Sequence, residues 1–94
     1  MRESDVEKHL VKRVKELGGE VRKVQWIGRN GAPDRLVMLP PQPFTGQSAV
    51  TWVELKAPGQ KPRPSHVREH ERMRAMGQRV VVTDSIEGVE ELLA

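Results

Sequence analysis

Between Ser4 and Leu17 the apolar residues Val6, Leu10, Val14 and Leu17 return every three or four positions, the period of one helix face, and Gly18-Gly19 supplies a stop. Ser4 and Glu7 have the spacing of a capping box, in which hydroxyl and carboxylate each satisfy a backbone N–H of the first turn. From Glu20 to Ile27 the period falls to two, with Val21, Lys23 and Gln25 alternating against Arg22, Val24 and Trp26, and this predicts a strand. Gly28 to Pro33 reads as a loop. Leu36 to Leu39 is a continuous apolar run stopped by Pro40-Pro41, a second strand expected to be buried on both faces. The proline-rich segment from Pro40 to Ser48 reads as an exposed connection to a third strand, Ala49 to Leu55, where alternation resumes around Val50, Trp52 and Val53.

The second half follows the same logic. Ala57 to Pro64 is loop, with Lys61 and Arg63 at its tip, and Ser65 to Met76 has helical spacing. In that helix Val67, Met73 and Met76 are expected to face the core, Arg68, Arg72 and Arg74 to point outward, and His70, like His9, to be solvated. Gly77 ends it. Val80 to Thr83 reads as a fourth, central strand, and Ser85 to Leu93 as a closing helix capped by Asp84 or Ser85. A three-stranded meander followed by a strand–helix–strand crossover gives an α/β fold, a mixed sheet flanked by helices. Trp26 and Trp52, both on predicted strands, read as core or interface residues rather than base-stackers.

Composition narrows the function. At 94 residues the chain holds one domain, 1–94, with one modest core. It lacks cysteine, so any metal must be held by oxygen or histidine. No apolar run is long enough to cross a bilayer and no secretory leader is evident. The expectation is therefore a soluble protein with no membrane partner, cytoplasmic, and in the bacterial host cytoplasm if phage-encoded. A net charge of +3 suits contact with nucleic acid. With two tryptophans, one phenylalanine and no tyrosine, contact with the phosphate backbone is the better expectation than stacking on bases.

The candidate chemistry lies around the second and third strands. Glu54 and Lys56 are two apart on one strand and leave it on the same face. If strands two and three pair as a hairpin, Asp34 at the start of one comes beside Glu54 and Lys56 at the end of the other. Two carboxylates and an ammonium at one sheet edge suit a hard divalent cation and a positioned water.

Gly31-Ala32-Pro33-Asp34, followed after a strand and a turn by Val53-Glu54-Leu55-Lys56, resembles the motif of the PD-(D/E)xK nucleases. Glu7 on the first helix, Gly18 at its end, the glycine-proline loop after Lys56, and the helix ending at Gly77 before Val80-Val81-Val82 extend the likeness to the VRR-NUC domains, small standalone forms of which occur in phages and bacteria. The resemblance covers nearly the whole chain. It implies a restriction-endonuclease-like αβββαβ(α) core. It further implies a metal bound by Asp34, Glu54, the backbone carbonyl of Leu55 and Glu7, with Lys56 orienting the attacking water. Mg2+ is the implied cofactor, with Mn2+ as substitute, and DNA, branched in form and cut by a homodimer resembling four-way (Holliday) junction resolvases, is the implied partner. Arg29, Arg35, Lys61, Arg63, His66 and Arg68 would ring the site and contact DNA phosphates. Relatives usually carry glutamine where this chain has His66, and the long Pro40–Ser48 loop is a second departure.

Each of these residues also has a plainer reading. Glu7 serves equally as half of a capping box, although a carboxylate on the face of Leu10 and Val14 requires a metal or a cation beside it. Glu54 and Lys56 could be an ordinary exposed strand face, Asp34 a turn residue, His66 a helix-start residue, and each arginine or lysine a solubilising charge. As a whole, the chain could be a non-catalytic DNA-binding or assembly module that keeps the nuclease fold, although such a module has no need of aspartate, glutamate and lysine together. A restriction-type enzyme would need a recognition domain for which there is no room.

Overall fold

A computed structural model describes residues 1–44, 46 and 49–94, apart from the side chain of Ala49. The elements run α1 (Glu3–Glu16), β1 (Glu20–Lys23), β2 (Arg35–Leu39), β3 (Ala49–Leu55), α2 (Pro64–Ala75), β4 (Val80–Thr83) and α3 (Ile86–Leu93). This is the expected order, and it makes one four-stranded mixed sheet with three helices. The strands lie in the order β1-β2-β3-β4, antiparallel except for β3 and β4, which are parallel. The chain returns from β3 to β4 through α2, the crossover that a parallel pair requires.

One face of the sheet is apolar. Val37, Val53 and Leu55 meet Val6, Leu10 and Val14 of α1 and Val89 and Leu92 of α3 in the hydrophobic core. The helical period read from α1 is therefore its buried stripe, except that Leu17 is exposed. Ser85 caps α3, accepting a hydrogen bond from the Gly88 N–H at 2.9 Å. Among the described residues no helix is long and apolar enough to cross a membrane.

Several expectations need correction. The Ser4–Glu7 box does not form: the N-cap is Arg2, two residues before Ser4, and the Asp5 carboxylate accepts the Arg2 N–H at 2.7 Å. β1 stops at Lys23 rather than Ile27, because Lys23 pairs with Arg35 and the register then runs into Pro33, which has no N–H to donate. Trp26 consequently lies beyond the strand. Of β2 only Val37 is fully buried. β4 is an edge strand, not a central one; its apolar run is explained by helices on both faces, not by a strand on either side. The widest departure is α2, whose buried residues are Glu69 and His70, whereas Val67 and Met76 are exposed. His9 is not fully solvated either, since its Nε2 lies 2.8 Å from Glu90 of α3.

The Pro40–Ser48 connection is exposed over Pro40 to Phe44; Thr45, Gln47 and Ser48 lie outside the described residues. It joins β2 to β3 at the Leu39–Ala49 end, opposite the end that carries Asp34 and Glu54.

Candidate active site

The register of β2 and β3 determines which side chains meet. Arg35 pairs with Val53, so one step further the same register sets Asp34 against Glu54, on the sheet face opposite the apolar core. Lys56, two residues beyond Glu54, shares that face. Arg35 shares the other face with Val53 and reaches α1.

Glu54 is 6 % exposed, a carboxylate on a strand covered by α2. His66 Nδ1 lies 3.0 Å from its Oε2 and His70 Nε2 lies 3.1 Å from its Oε1, the two rings standing one turn apart on α2. Lys56 Nζ is 3.6 Å from Oε2. A carboxylate this buried needs such donors, and among the described residues no buried side-chain nitrogen or oxygen lacks a partner.

Asp34 is set differently. Its side chain is 61 % exposed, and Oδ2 accepts from Arg35 Nη1 at 2.9 Å. Arg35 also grips Glu7, with Nε 3.1 Å from Oε2 and Nη2 closing a second contact to the same oxygen. Partial burial by itself would favour loss of the Arg35 proton, but the hydrogen bond to Glu7 and the charges of Asp34 and Glu7 outweigh it and raise the guanidinium pKa above its ordinary value. Arg35 therefore stays cationic, and it supplies the positive charge that Glu7 requires.

A cavity of about 220 Å³ opens where these two networks meet, lined by Glu3, Ala32, Asp34, Arg35, Glu54, Leu55, Lys56 and His66. Asp34, Glu54, Leu55, Lys56, Arg35 and His66 thus converge as the sequence suggests. Glu7 stands behind Arg35 and does not line the cavity, whereas Glu3, one turn earlier on α1, does. Arg29 points elsewhere, 3.5 Å from the buried Glu69 of α2. Lys61, Arg63 and Arg68 are exposed and line no part of this cavity.

Two features escape a reading of the sequence. His70 was expected in solvent and is 1 % exposed, bound to Glu54; its spacing of four from His66 was the available signal. The second is the contact between the Gly28–Pro33 loop and α2. Gly31 has φ +82°, and a Cβ there would lie 2.8 Å from the Ser65 carbonyl oxygen, so this position requires glycine on two counts.

The oxygen donors suit a hard cation. Among the described residues no group of three or more histidine, aspartate or glutamate side chains is arranged to hold a metal by itself. What the cavity offers is three carboxylates, Glu3 from α1, the exposed Asp34 and the fixed Glu54, with Leu55 between Glu54 and Lys56. That set fits an ion such as Mg2+, which keeps several of its waters and takes one or two carboxylates from the protein.

Trp26 and Trp52 stand with ring centroids 5.2 Å apart and tilted by 48°. Their N–H groups donate to the Pro33 carbonyl and to Gln78 Oε1. Each indole covers the other.

No family model matches the chain. It is 47 % identical over 85 residues to a protein named as a nuclease, p44 of Acyrthosiphon pisum secondary endosymbiont phage 1, covering 90 % of this chain and 85 % of that one. A solved structure described as a VRR-NUC domain superposes with a TM-score of 0.81 at 42 % identity, covering 97 % of this chain and 92 % of the other. Identity at that level, over nearly the full length of both relatives and with the same fold, means that the chain belongs to the VRR-NUC nuclease family.

Proposed function

We propose that this nuclease is a metal-dependent deoxyribonuclease of the PD-(D/E)xK type, with its active site in the cavity between Asp34 and Glu54. The observation that supports this most is the convergence of Asp34, Glu54 and Lys56 on one cavity through the β2–β3 register. Asp34, Glu54 and the Leu55 carbonyl would hold Mg2+, or Mn2+ in its place. The ion would supply Lewis-acid polarisation of the scissile phosphate and lower the pKa of a water.

The chain's own groups have separable tasks. Lys56 brings a positive charge to the cavity, where it orients the attacking water and offsets charge developing on the phosphate. Glu54 keeps Lys56 within 3.6 Å. Arg35 steadies the exposed Asp34 from one side and is itself held by Glu7, so Glu7 acts on the site through Arg35. His66, half-buried at the cavity wall, stands where a phosphate oxygen of the substrate would pass. Lys61, Arg63 and Arg68 would meet flanking phosphates.

Preference for branched DNA and action as a homodimer on four-way junctions remain part of the proposal. They rest on the small size of the domain and the geometry of two sites related by a two-fold axis. Trp26 and Trp52 lend less support, since they cover each other. The test is an assay of a four-way junction and its matched linear arms with Mg2+, Mn2+, Ca2+ or excess chelator, alongside sedimentation at micromolar concentration. Cleavage with Mg2+ or Mn2+ only, and of the junction first, is the expected result. Cleavage in excess chelator would overturn the metal mechanism, and a monomer cutting both substrates equally would remove the junction preference.

A further inference from the structure

Resting on the metal site proposed above, we infer that His70 is a positioning residue that sets the affinity of the site for its cation by holding the Glu54 carboxylate. A glutamate side chain has three rotatable bonds, and an unrestrained one would lose that freedom on binding a metal. Here the loss occurs on folding. His70 Nε2 meets Oε1 at 3.1 Å while His66 Nδ1 meets Oε2 at 3.0 Å, so the plane of the carboxylate is fixed from both ends by one helix.

The two histidines are not equivalent. His66 is 28 % exposed in its side chain and lines the cavity, whereas His70 is 1 % exposed and lines none of it. His70 cannot reach substrate, and its effect must pass through Glu54. An ionised carboxylate only accepts hydrogen bonds, so His70 must carry its proton on Nε2. Its height above β3 is also set, because the adjacent Glu69, buried too, is paired with Arg72 at 2.9 Å and with Arg29 of the loop that leads to Asp34. Ligand-orienting partners of this kind typically change metal affinity by about 10- to 100-fold when lost.

The experiment is calorimetric titration of Mn2+ into the whole chain and into His70→Leu and His70→Gln, with thermal melts of each. The glutamine amide can reach the place of Nε2–H and the leucine cannot. Expected are binding by His70→Gln within about twofold of wild type and by His70→Leu at least about tenfold weaker. For His70→Leu the Mn2+ concentration giving half-maximal cleavage should rise correspondingly while the rate at saturating Mn2+ is kept, a split that a fall in stability alone does not produce. If leucine prevents folding, His70→Asn, whose amide ends short of Nε2, takes its place with the same expected weakening. Wild-type affinity in the leucine or asparagine variant, or an equal loss in the folded glutamine variant, would overturn the inference. Absence of Mn2+ binding by the wild-type chain would instead overturn the metal site itself, and the inference with it.

Discussion

On one face of the sheet Val37, Val53 and Leu55 meet valines and leucines of α1 and α3; on the other, the two residues that α2 buries are Glu69, paired with Arg29 and Arg72, and His70, set over Glu54. The alternating strand β3 serves both, sending Val53 and Leu55 to the apolar side and Glu54, with Lys56 just past the strand's end, to the other. Apolar burial supplies stability and needs no particular geometry beyond close packing. A buried carboxylate with two histidines contributes little net stability, because removing these groups from water costs about what their pairing returns. Such a cluster at one end of a face that also carries Leu36, Trp52 and Val80 is explained by chemistry rather than by folding, and the cluster and the apolar core should respond to mutation in opposite ways.

The largest effects are expected on the face of the cluster. Asp34→Ala, Glu54→Gln and Lys56→Ala should each lower the cleavage rate on the order of a thousandfold, the scale of losing a main electrostatic contributor to the transition state. Their melting temperatures should stay near wild type, and full activity in any two of them would remove the site from this face. The apolar face offers the converse. Leu10→Ala should cost about 2–5 kcal/mol, a fall in Tm of about 10 °C or more for a domain of this size, with the rate per folded molecule unchanged.

Between these extremes lies Glu7, which belongs to α1 but acts across the sheet edge. Glu7→Gln weakens the grip on Arg35 and so loosens Asp34; a loss of severalfold in rate is expected, with a higher requirement for Mg2+. A fall in thermal stability with unchanged metal dependence would make Glu7 a purely structural partner of Arg35. The smallest effect concerns Glu90, where hydrogen bonds from His9 and Arg13 hold the carboxyl below its ordinary pKa. With the folded pKa depressed, its contribution is complete above the unfolded pKa and is lost as pH falls through the folded one. The Tm gap between wild type and Glu90→Gln should therefore narrow in acid, and a gap that widens there would reverse the assignment.

Much of the fold could be read from the sequence because its signals are local. Proline and glycine mark the loops, the period of three to four marks α1, and alternation gives β3 over Ala49–Leu55. The Asp34–Glu54–Lys56 convergence was legible for the same reason, since it requires only a hairpin and a two-residue period. What could not be read depends on tertiary partners. α2 looks like a helix with Val67, Met73 and Met76 inward because hydrophobicity is the usual guide to burial, and it fails where the facing strand presents a glutamate. The only sign near His70 in sequence is its spacing of four from His66, which puts both rings on one helix face without saying that Glu54 lies opposite them. Likewise Ser4 and Glu7 have the spacing of a cap, but the helix starts earlier with Asp5 in that role, and Glu7 is left to pair with the distant Arg35.

The most direct measurement is an anomalous difference map from crystals of the whole chain soaked in Mn2+. A peak between the Asp34 and Glu54 carboxylates, within coordination distance of the Leu55 carbonyl oxygen, is the expected result. A peak elsewhere, or none in protein that cleaves DNA in the same Mn2+ solution, would contradict the site.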